Sequence, residues 1–332
     1  MCGHCGCGDK SGATILNLQT GKEAAMGGHS HDHDGAHAEG ASHGRDHGHQ
    51  HQNGHSHAHA HAVSHSHGPA HHHDHFHEHV HADGTRHRHD HSHDDAHHDH
   101  SHGHPAATAD GVVELETRIL AKNDALAAKN RSWFSGREIL ALNLVSSPGS
   151  GKTTLLERTI GDLKAELKLY VIEGDQATAN DGERIRAAGA PAVQVNTGTG
   201  CHLEADMVAR GLAELKPAVG SLVMIENVGN LVCPAMFDLG ERAKVVILSV
   251  TEGEDKPLKY PHMFRAAEIM ILNKIDLLPY VDFDVSRAVA NAREVNPDIR
   301  EFQVSARSGA GLEDWYRWLR GEISKCREAA FA

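Results

Sequence analysis

The sequence predicts one α/β domain, built on a mostly parallel sheet with helices on both faces and preceded by a disordered N-terminal region. Through residues 111–332, short apolar runs alternate with helical segments, which is the order of parallel strands joined by crossover helices. Residues 11–110 are too poor in large apolar side chains to bury a core. We therefore divide the chain into a cysteine motif at residues 1–10, a histidine-rich region at 11–110 and a folded domain at 111–332.

The elements of the domain follow from the apolar periodicity. Residues 112–130 carry apolar side chains at helical spacing with few helix breakers, which predicts a helix leading into the domain. The compact apolar run at 139–145 predicts the first strand. The same argument predicts the later strands at residues 169–172, 192–195, 222–225, 245–250, 269–272 and 302–304.

The overall composition narrows the class of protein. The formal net charge is −13 with histidine counted as neutral, which argues against a nucleic acid as partner. No run approaches the roughly 18 to 20 apolar residues of a membrane span, and the N-terminus lacks the pattern of a signal peptide. We expect a cytoplasmic protein with no membrane partner. Its six cysteines would stay reduced there, so their spacing indicates metal ligation.

Histidine is concentrated ahead of the domain. Thirty of the 33 histidines lie between His29 and His104, and the others are His4, His202 and His262. Imidazole nitrogen binds Ni, Zn, Cu and Co, so a long tract of this kind holds several ions weakly without defining one site. The tract predicts a role in metal storage.

A phosphate-binding loop follows the first predicted strand and precedes a helix. Lys152 would reach the β and γ oxygens of a nucleotide, and Thr153 would ligate Mg²⁺. Ser146 stands where the usual first glycine is expected, while the rest of the motif is intact. The nucleotide phosphates are therefore expected to contact Gly149, Ser150, Gly151, Lys152, Thr153 and Thr154.

The choice of base is predicted by Asn273-Lys274-Ile275-Asp276, which follows a strand at the carboxyl edge of the sheet. Asp276 would accept hydrogen bonds from guanine N1 and N2, a donor pair that adenine lacks. Ser305 and Ala306 stand where a second loop contacting the guanine is expected. These residues predict binding of GTP and GDP rather than adenine nucleotides.

Two carboxylates follow strands near the expected γ-phosphate position. Asp175 and Glu226 are candidates to hold Mg²⁺ directly or through water. We take Asp175 as the first candidate for positioning the attacking water. The alternative interpretation, a solvated acid in a turn, fits Glu173 better than it fits these two residues.

A metal site is predicted beside this switch region. Cys201 and His202 lie in one loop, and Cys233 lies seven residues beyond Glu226. A segment that contacts Mg²⁺ through Glu226 would move Cys233 when the nucleotide changes. Two thiolates and one imidazole are one ligand short of a tetrahedral site, and a twofold axis would let two subunits pool their ligands. The alternative is that the cysteines are small buried hydrophobes and that His202 caps a helix at Leu203.

The first residues suggest a second metal site. Cys2, Cys5 and Cys7 are separated by residues that include glycines, so they can close around one soft or borderline ion. Removal of Met1 would free the amine of Cys2 as a fourth ligand. The four ligands could then form a square-planar site, the geometry typical of Ni(II) or Cu(II). His4 is another candidate ligand. A zinc-scavenging thiol cluster is the alternative.

These motifs together resemble one family. They are Cys2-Gly3-His4-Cys5-Gly6-Cys7, the histidine tract, Gly200-Cys201-His202-Leu203, Glu226-Asn227-Val228-Gly229-Asn230-Leu231-Val232-Cys233-Pro234 and Asn273-Lys274-Ile275-Asp276, and they closely resemble those of the HypB family. The resemblance implies a P-loop GTPase of the metallochaperone class that forms a GTP-dependent homodimer. It also implies delivery of Ni²⁺ to the precursor of a [NiFe]-hydrogenase large subunit, together with the accessory protein HypA.

The resemblance also assigns roles to the metal ligands. It implies that Cys2, Cys5 and Cys7 form a tight nickel site and that Cys201, His202 and Cys233 bind Ni²⁺ or Zn²⁺ in the GTPase domain. The histidine tract would store metal.

Three alternatives are weighed against this assignment. A urease-type nickel GTPase would carry a Cys-Pro-His loop, and a CobW-type zinc GTPase a Cys-x-Cys-Cys loop. Neither motif occurs in the sequence. A passive storage protein with a vestigial GTPase would lack hydrolysis that depends on Lys152.

Overall fold

The structure is a computed structural model. It describes residues 13–25, 48–50, 56–58, 76–80, 86–90, 109–175, 180–198 and 200–329. Cys2, Cys5 and Cys7 lie outside the described residues, as does most of the histidine tract. The chain divides into two units, one of residues 31–106 and the other of the remaining chain.

The strands of the described residues are as follows in chain order: β1 (Thr14–Asn17), β2 (Lys22–Ala25), β3 (Gly48–Gln50), β4 (Ser56–Ala58), β5 (Phe76–Val80), β6 (Arg86–Asp90), β7 (Leu140–Ser146), β8 (Leu169–Asp175), β9 (Ala192–Asn196), β10 (Leu222–Glu226), β11 (Ala243–Ser249), β12 (Ile269–Asn273) and β13 (Arg300–Gln303). Each strand predicted from the sequence is present, with ends that shift by three residues at most.

The helices of the described residues are as follows: α1 (Ala109–Ser135), α2 (Lys152–Leu163), α3 (Asn180–Ala188), α4 (Ala205–Leu215), α5 (Cys233–Met236), α6 (Lys256–Lys259), α7 (Pro261–Ala266), α8 (Val285–Val295) and α9 (Leu312–Ala329). A 3₁₀ helix covers Ile275–Tyr280. The predicted helix at 112–130 is confirmed as part of α1, which is longer at both ends.

Nine of the described strands form one sheet, in the order β13-β12-β11-β7-β10-β8-β9-β1-β2. The seven strands from β13 to β9 pair in parallel, whereas β1 pairs antiparallel to β9 and to β2. The carboxyl ends of the parallel strands therefore meet at one edge, where ligands bind in sheets of this kind. The predicted α/β class and mostly parallel sheet are confirmed.

The two faces of the sheet bury alternate strand residues. Leu140, Leu142 and Leu144 of β7 pack in one core with side chains of α2 and α9. Ala141 packs in a second core with α1 and α4, and Val145 packs in a third with α7 and α8. Because both faces are covered, the central strands contain continuous apolar runs rather than alternating ones.

The β1–β2 hairpin differs from the predicted domain boundary. Residues 11–110 were expected to lie outside the folded domain, yet β1 extends the sheet beside β9. Ile15 is opposite Val195 in this pairing, and both are buried in the core that α1 and α4 cover. A four-residue strand with one fully buried residue gives too weak a periodicity to be recognised in the sequence.

The unit of residues 31–106 contains two short antiparallel pairs among its described residues. Strand β3 pairs with β4, and β5 pairs with β6. The second pair places Glu78 opposite Arg88 and His77 opposite His89. The sequence predicted no regular structure for this region. In the described chain no helix is long and apolar enough to span a membrane.

Candidate functional site

The phosphate-binding loop leaves the central strand β7 and ends where α2 begins at Lys152. Gly149 and Gly151 have φ angles of 79° and 90°, in the left-handed region that favours glycine. A Cβ on Gly151 would also lie 2.6 Å from Nδ2 of Asn273. Ser146 is not among the described residues with positive φ, so a serine is accommodated where the motif usually has glycine.

A cleft of about 580 Å³ opens above this loop at the carboxyl edge of the sheet. Its walls come from the phosphate loop, from the ends of β8 and β10, and from α3. Its polar lining includes Ser146, Ser147, Ser150, Lys152, Thr153, Thr154, Glu173, Asp181, Arg184, Glu226 and Lys274. The predicted phosphate ligands therefore line one cleft.

Three side chains meet at the floor of the cleft. The hydroxyl of Thr153 donates to Oε1 of Glu226 at 2.7 Å, and Nζ of Lys152 lies 3.6 Å from the same oxygen. Glu226 is buried, and burial raises its pKa while Lys152 and Thr153 act against that increase. Its Oε2 is also buried and has no hydrogen-bond partner in the described part of the chain. This oxygen and the Thr153 hydroxyl oxygen are ligands of the kind that Mg²⁺ prefers.

The two acids that end β8 change the sequence interpretation. Asp175 is the last residue of β8, so its backbone lies at the edge of the sheet where the cleft opens. Glu173 is buried and lines the cleft. The interpretation of Glu173 as a solvated turn acid was wrong, because the strand continues through Asp175 and keeps Glu173 within the sheet.

Sequence reasoning did not identify Arg184 on α3. Its guanidinium donates to Oγ1 of Thr154 at 3.2 Å and pairs with Glu157 and Asp181 at 2.6 and 2.9 Å. These two carboxylates hold the pKa of Arg184 above its ordinary value. A single arginine on a short polar helix carries no sequence signal that distinguishes it from an ordinary surface residue.

The predicted guanine-binding loops lie next to the phosphate loop. Asn273 Nδ2 donates to the carbonyl of Ser150 at 3.0 Å, and its Oδ1 accepts from the amide of Ala306 at 3.2 Å. Lys274 Nζ donates to the carbonyl of Gly149 at 2.6 Å. Asn273 thus joins the phosphate loop to the second predicted base loop. Of the predicted base-binding residues, Lys274 lines the cleft, whereas Asn273, Asp276, Ser305 and Ala306 are not part of its lining.

The carboxylate of Asp276 is held in position by one hydrogen bond. Ser305 Oγ donates to its Oδ1 at 2.6 Å. The same hydroxyl accepts from the amide of Ser308 at 3.0 Å. These bonds restrict the orientation of the Asp276 carboxylate, and its role in binding the base stays a prediction.

The second cluster contains the predicted metal ligands of the folded domain. Ligand atoms of Cys201, His202 and Cys233 all lie within 4.8 Å of one another. Cys201 Sγ is 3.7 Å from Nδ1 of His202. Cys201 and His202 belong to the loop after β9, whereas Cys233 begins α5 beyond β10. Two sulfurs and an imidazole so close together can bind a borderline divalent ion such as Ni²⁺ or Zn²⁺.

His202 is a buried residue and does not cap a helix. Its ring packs on Phe237 with centroids 3.8 Å apart, and burial lowers its pKa to about 4. Its Nε2 has no hydrogen-bond partner among the described residues. Helix α4 begins at Ala205, so the alternative of a cap at Leu203 is wrong. A neutral buried imidazole is the form that binds metal.

The loop that carries Cys201 and His202, called the metal loop below, packs tightly against β8, which ends at the cleft. A Cβ built on Gly174 of β8 would lie 2.7 to 2.9 Å from three side-chain atoms of Leu203. Leu203 directly follows His202 and is fully buried. The close approach therefore requires glycine, and it places the backbone of β8 in contact with the metal loop.

We expect Gly174→Ala to destabilise the fold by about 1 to 3 kcal/mol, because the methyl group overpacks a buried contact. We also expect weaker metal binding, since Leu203 must shift beside His202. Urea unfolding and a metal titration measure the two effects. Gly161→Ala on α2 is the control, since its Cβ meets nothing within 4 Å. An unchanged unfolding free energy in Gly174→Ala would contradict this prediction.

Comparisons with known proteins give the family. The model of the family described as "CobW/HypB/UreG, nucleotide-binding domain" matches residues 140–303. The hydrogenase maturation factor HypB of Rhizobium leguminosarum bv. viciae is 59% identical over 225 residues, which cover 68% of this chain and 75% of that protein. The chain belongs to the HypB family. Residues 140–303 contain the cleft, the metal ligands and Asn273-Lys274-Ile275-Asp276, so the shared region includes both candidate sites of this HypB-family chain.

Two solved HypB structures resemble the fold. HypB from Archaeoglobus fulgidus has a TM-score of 0.58 and 40% identity, covering 61% of this chain and 99% of that one. HypB from Helicobacter pylori in complex with nickel has the same TM-score and 38% identity, covering 61% and 96%. The resemblance to the HypB family seen in the sequence motifs is therefore confirmed.

Proposed function

We propose that this HypB-family chain is a GTPase metallochaperone that binds GTP with Mg²⁺, hydrolyses it to GDP and phosphate, and uses this cycle to control nickel binding. The observation that carries the proposal is the short connection between the two sites. Glu226 hydrogen-bonds Thr153 in the cleft, and seven residues later Cys233 joins the metal cluster. A nucleotide-dependent shift of this connecting segment would change the metal geometry, and linkage makes the effect reciprocal.

In the proposed mechanism, each residue of the cleft has a role. Lys152 binds the β and γ phosphate oxygens and offsets the charge that develops on them. Thr153 and Glu226 would hold Mg²⁺, which would supply positive charge against the negative charge that develops on the phosphate during hydrolysis. Asp175 is proposed to position the attacking water. Gly149, Ser150, Gly151 and Thr154 support the phosphates, and Asn273, Lys274, Asp276, Ser305 and Ala306 bind the guanine.

The metal cluster is proposed to carry Ni²⁺ as cargo, with Zn²⁺ as the alternative ion. Cys201, His202 and Cys233 supply three donors, which leaves one coordination position open for an incoming or outgoing ligand. Part of this surface is apolar, since Val232 and Met236 on either side of Cys233 are 49% and 51% exposed. We propose that a second copy lies against this surface in a homodimer that forms when GTP is bound.

The biological role is proposed from the relatives. The R. leguminosarum relative is named a hydrogenase maturation factor, and the H. pylori structure holds nickel. We propose that this chain delivers nickel to the precursor of a [NiFe]-hydrogenase large subunit, with a HypA-type accessory protein as partner. The Cys2, Cys5 and Cys7 motif would be a further nickel site, and the histidine tract a store.

The proposal is tested by titrating Ni²⁺ and Zn²⁺ with GDP and with a non-hydrolysable GTP analogue. A chain that lacks residues 29–104 removes the tract and keeps the β1–β2 hairpin. We expect metal affinity or stoichiometry to differ between the two nucleotides. Identical binding in both states would instead favour a storage protein with an unrelated GTPase.

We expect Cys233→Ala to weaken metal binding at the cluster of Cys201, His202 and Cys233 by at least about 100-fold, because loss of a direct ligand costs more affinity than loss of a residue that only hydrogen-bonds a ligand. The affinity for GTP should stay largely intact, because Cys233 does not line the cleft. Metal and nucleotide titrations measure both. Cys326→Ala is the control, because Cys326 lies on α9 and does not belong to the metal cluster. An unchanged metal stoichiometry in Cys233→Ala, measured without residues 29–104, would contradict the assignment.

We expect deletion of residues 29–104 to lower the number of bound ions without stopping hydrolysis. The reason is that the tract is proposed to store metal, whereas the proposed catalytic residues, Lys152, Asp175 and Glu226, lie outside it. Metal analysis after dialysis and a phosphate-release assay measure the two quantities. The full chain is the reference, and loss of GTP hydrolysis on deletion would show that the tract has another role.

A further inference from the structure

A chain of buried polar side chains runs from the phosphate loop across the sheet. Lys152 Nζ donates to the backbone carbonyl of Asn227, and Asn227 Nδ2 donates to Oδ1 of Asn143 at 3.2 Å. Asn143 Nδ2 then donates to Oε1 of Glu241 at 3.0 Å, which lies 3.9 Å from Nζ of Lys244. The asparagines, Glu241 and Lys244 are all buried. Buried polar groups are retained only where partners satisfy them, so these contacts hold one another in place.

The last residue of this series of polar contacts, Lys244, binds the backbone of α5, the helix that carries Cys233. Lys244 on β11 donates to the carbonyl of Pro234 at 2.7 Å and to that of Phe237 at 3.2 Å. Helix α5 has four residues, so its carbonyls have few partners within the helix itself. Burial lowers the pKa of Lys244, while Glu241 and Asp238 act against that decrease. The lysine thus fixes the backbone beside Cys233.

The same asparagine also reaches the other half of the metal cluster. Asn227 Oδ1 accepts from the amide of Leu203 at 3.1 Å and from that of Val228 at 3.0 Å. Leu203 is the residue after His202. The side chain of Asn227 therefore contacts the loop that carries Cys201 and His202 directly. Through Asn143, Glu241 and Lys244 it is also linked to the backbone of Pro234, the residue after Cys233.

We propose that Asn227, Asn143, Glu241 and Lys244 are positioning residues that transmit the nucleotide state from Lys152 to the helix of Cys233. In the structure the Lys152 ammonium binds the Asn227 carbonyl. Phosphate oxygens compete for the same ammonium when nucleotide binds, and GTP competes more strongly than GDP because its γ-phosphate adds oxygens within reach of Lys152. Release of this carbonyl shifts Asn227, and the polar chain carries that shift to Lys244 and α5. This inference rests on the proposed nucleotide control of the metal site.

The test uses the rate at which iodoacetamide alkylates Cys233 in the full-length, metal-free chain. The rate is followed by mass spectrometry of the peptide that carries Cys233, so the histidine tract does not contribute to the signal. It is measured with Mg²⁺–GDP and with Mg²⁺ and a non-hydrolysable GTP analogue. We expect the two rates to differ at least about five-fold in the unmodified chain and less than about two-fold in Lys244→Met.

Two more variants distinguish coupling through these hydrogen bonds from a general weakening of the packing. Asn143→Leu interrupts the polar chain in the middle, and its effect on the rate ratio should not add to that of Lys244→Met. Asn296→Leu is the matched control, because Asn296 Nδ2 also donates to two backbone carbonyls, those of Phe264 and Ala267, at 3.2 and 2.8 Å. The control should keep the ratio of the unmodified chain. Nucleotide affinity should be unchanged in Lys244→Met, since Lys244 does not line the cleft.

The outcomes distinguish this inference from the proposed function. Equal rates in the unmodified chain would overturn nucleotide control and the inference with it. Different rates in the unmodified chain that persist in both Lys244→Met and Asn143→Leu would overturn the inference alone. Loss of the ratio in Asn296→Leu as well would assign the effect to weakened packing and would also overturn it.

Discussion

Lys152→Ala is expected to lower kcat/KM for GTP hydrolysis by about 100- to 1,000-fold, the range found when one preorganised charge contact to a transition state is removed. Lys152 begins α2 at the floor of the cleft, where its ammonium lies 3.6 Å from Oε1 of Glu226. No other residue of the phosphate loop carries a positive charge. Phosphate release measured at saturating and at low GTP checks the expectation.

The control for this variant is a second lysine beside the same loop. Lys256 Nζ donates to Oγ of Ser147 at 3.0 Å and lies 3.2 Å from Glu252. Because Lys256 does not line the cleft, Lys256→Ala should change hydrolysis much less. A Lys152→Ala chain that folds and hydrolyses GTP at the original rate would leave passive metal storage as the better explanation. Thermal unfolding of both variants ensures that lost activity does not reflect lost structure.

Much of the fold could be predicted from the sequence because buried parallel strands produce strong local signals. The strand β7 is apolar or small over its whole length apart from Asn143, and the phosphate loop follows it directly. The hairpin β1–β2 was missed for the opposite reason. Its contribution to the core depends on pairing with β9, which is far away in the sequence.

The two candidate sites were predictable to different degrees. Cys201 and Cys233 are separated by 32 residues, but both follow strands whose carboxyl ends lie at one edge of the sheet, with β8 between β9 and β10. Topology therefore explains why these distant residues meet. The polar residues that support the site gave no such signal, since Asn143 and Lys244 lie within apolar strands and resemble isolated exceptions to the pattern. The residues that hydrogen-bond Asn143 and Lys244 can be identified only from the structure.

Asp276→Asn is expected to weaken GTP binding by about 100- to 10,000-fold. In the proposed mode the carboxylate accepts two hydrogen bonds from guanine, and bonds to charged groups contribute roughly 1.5 to 3 kcal/mol each. The asparagine amide would present a donor to one of the guanine donors, so one contact becomes repulsive. Isothermal titration with GTP and with ITP measures the loss, because ITP lacks the 2-amino group of guanine.

The comparison of the two nucleotides isolates the role of the Asp276 carboxylate. The unmodified chain should prefer GTP to ITP by about 10- to 100-fold, the value of one charge-assisted hydrogen bond. The preference for GTP over ITP should be smaller in Asp276→Asn, because the side chain that accepts from the 2-amino group of guanine is then uncharged. Asp282→Asn, an exposed acid beyond the same 3₁₀ helix, should leave both affinities unchanged. Equal affinity for GTP and ITP in the unmodified chain would assign recognition of the base to other residues, and the hydrogen bond from Ser305 to Asp276 would then serve only to join the two loops.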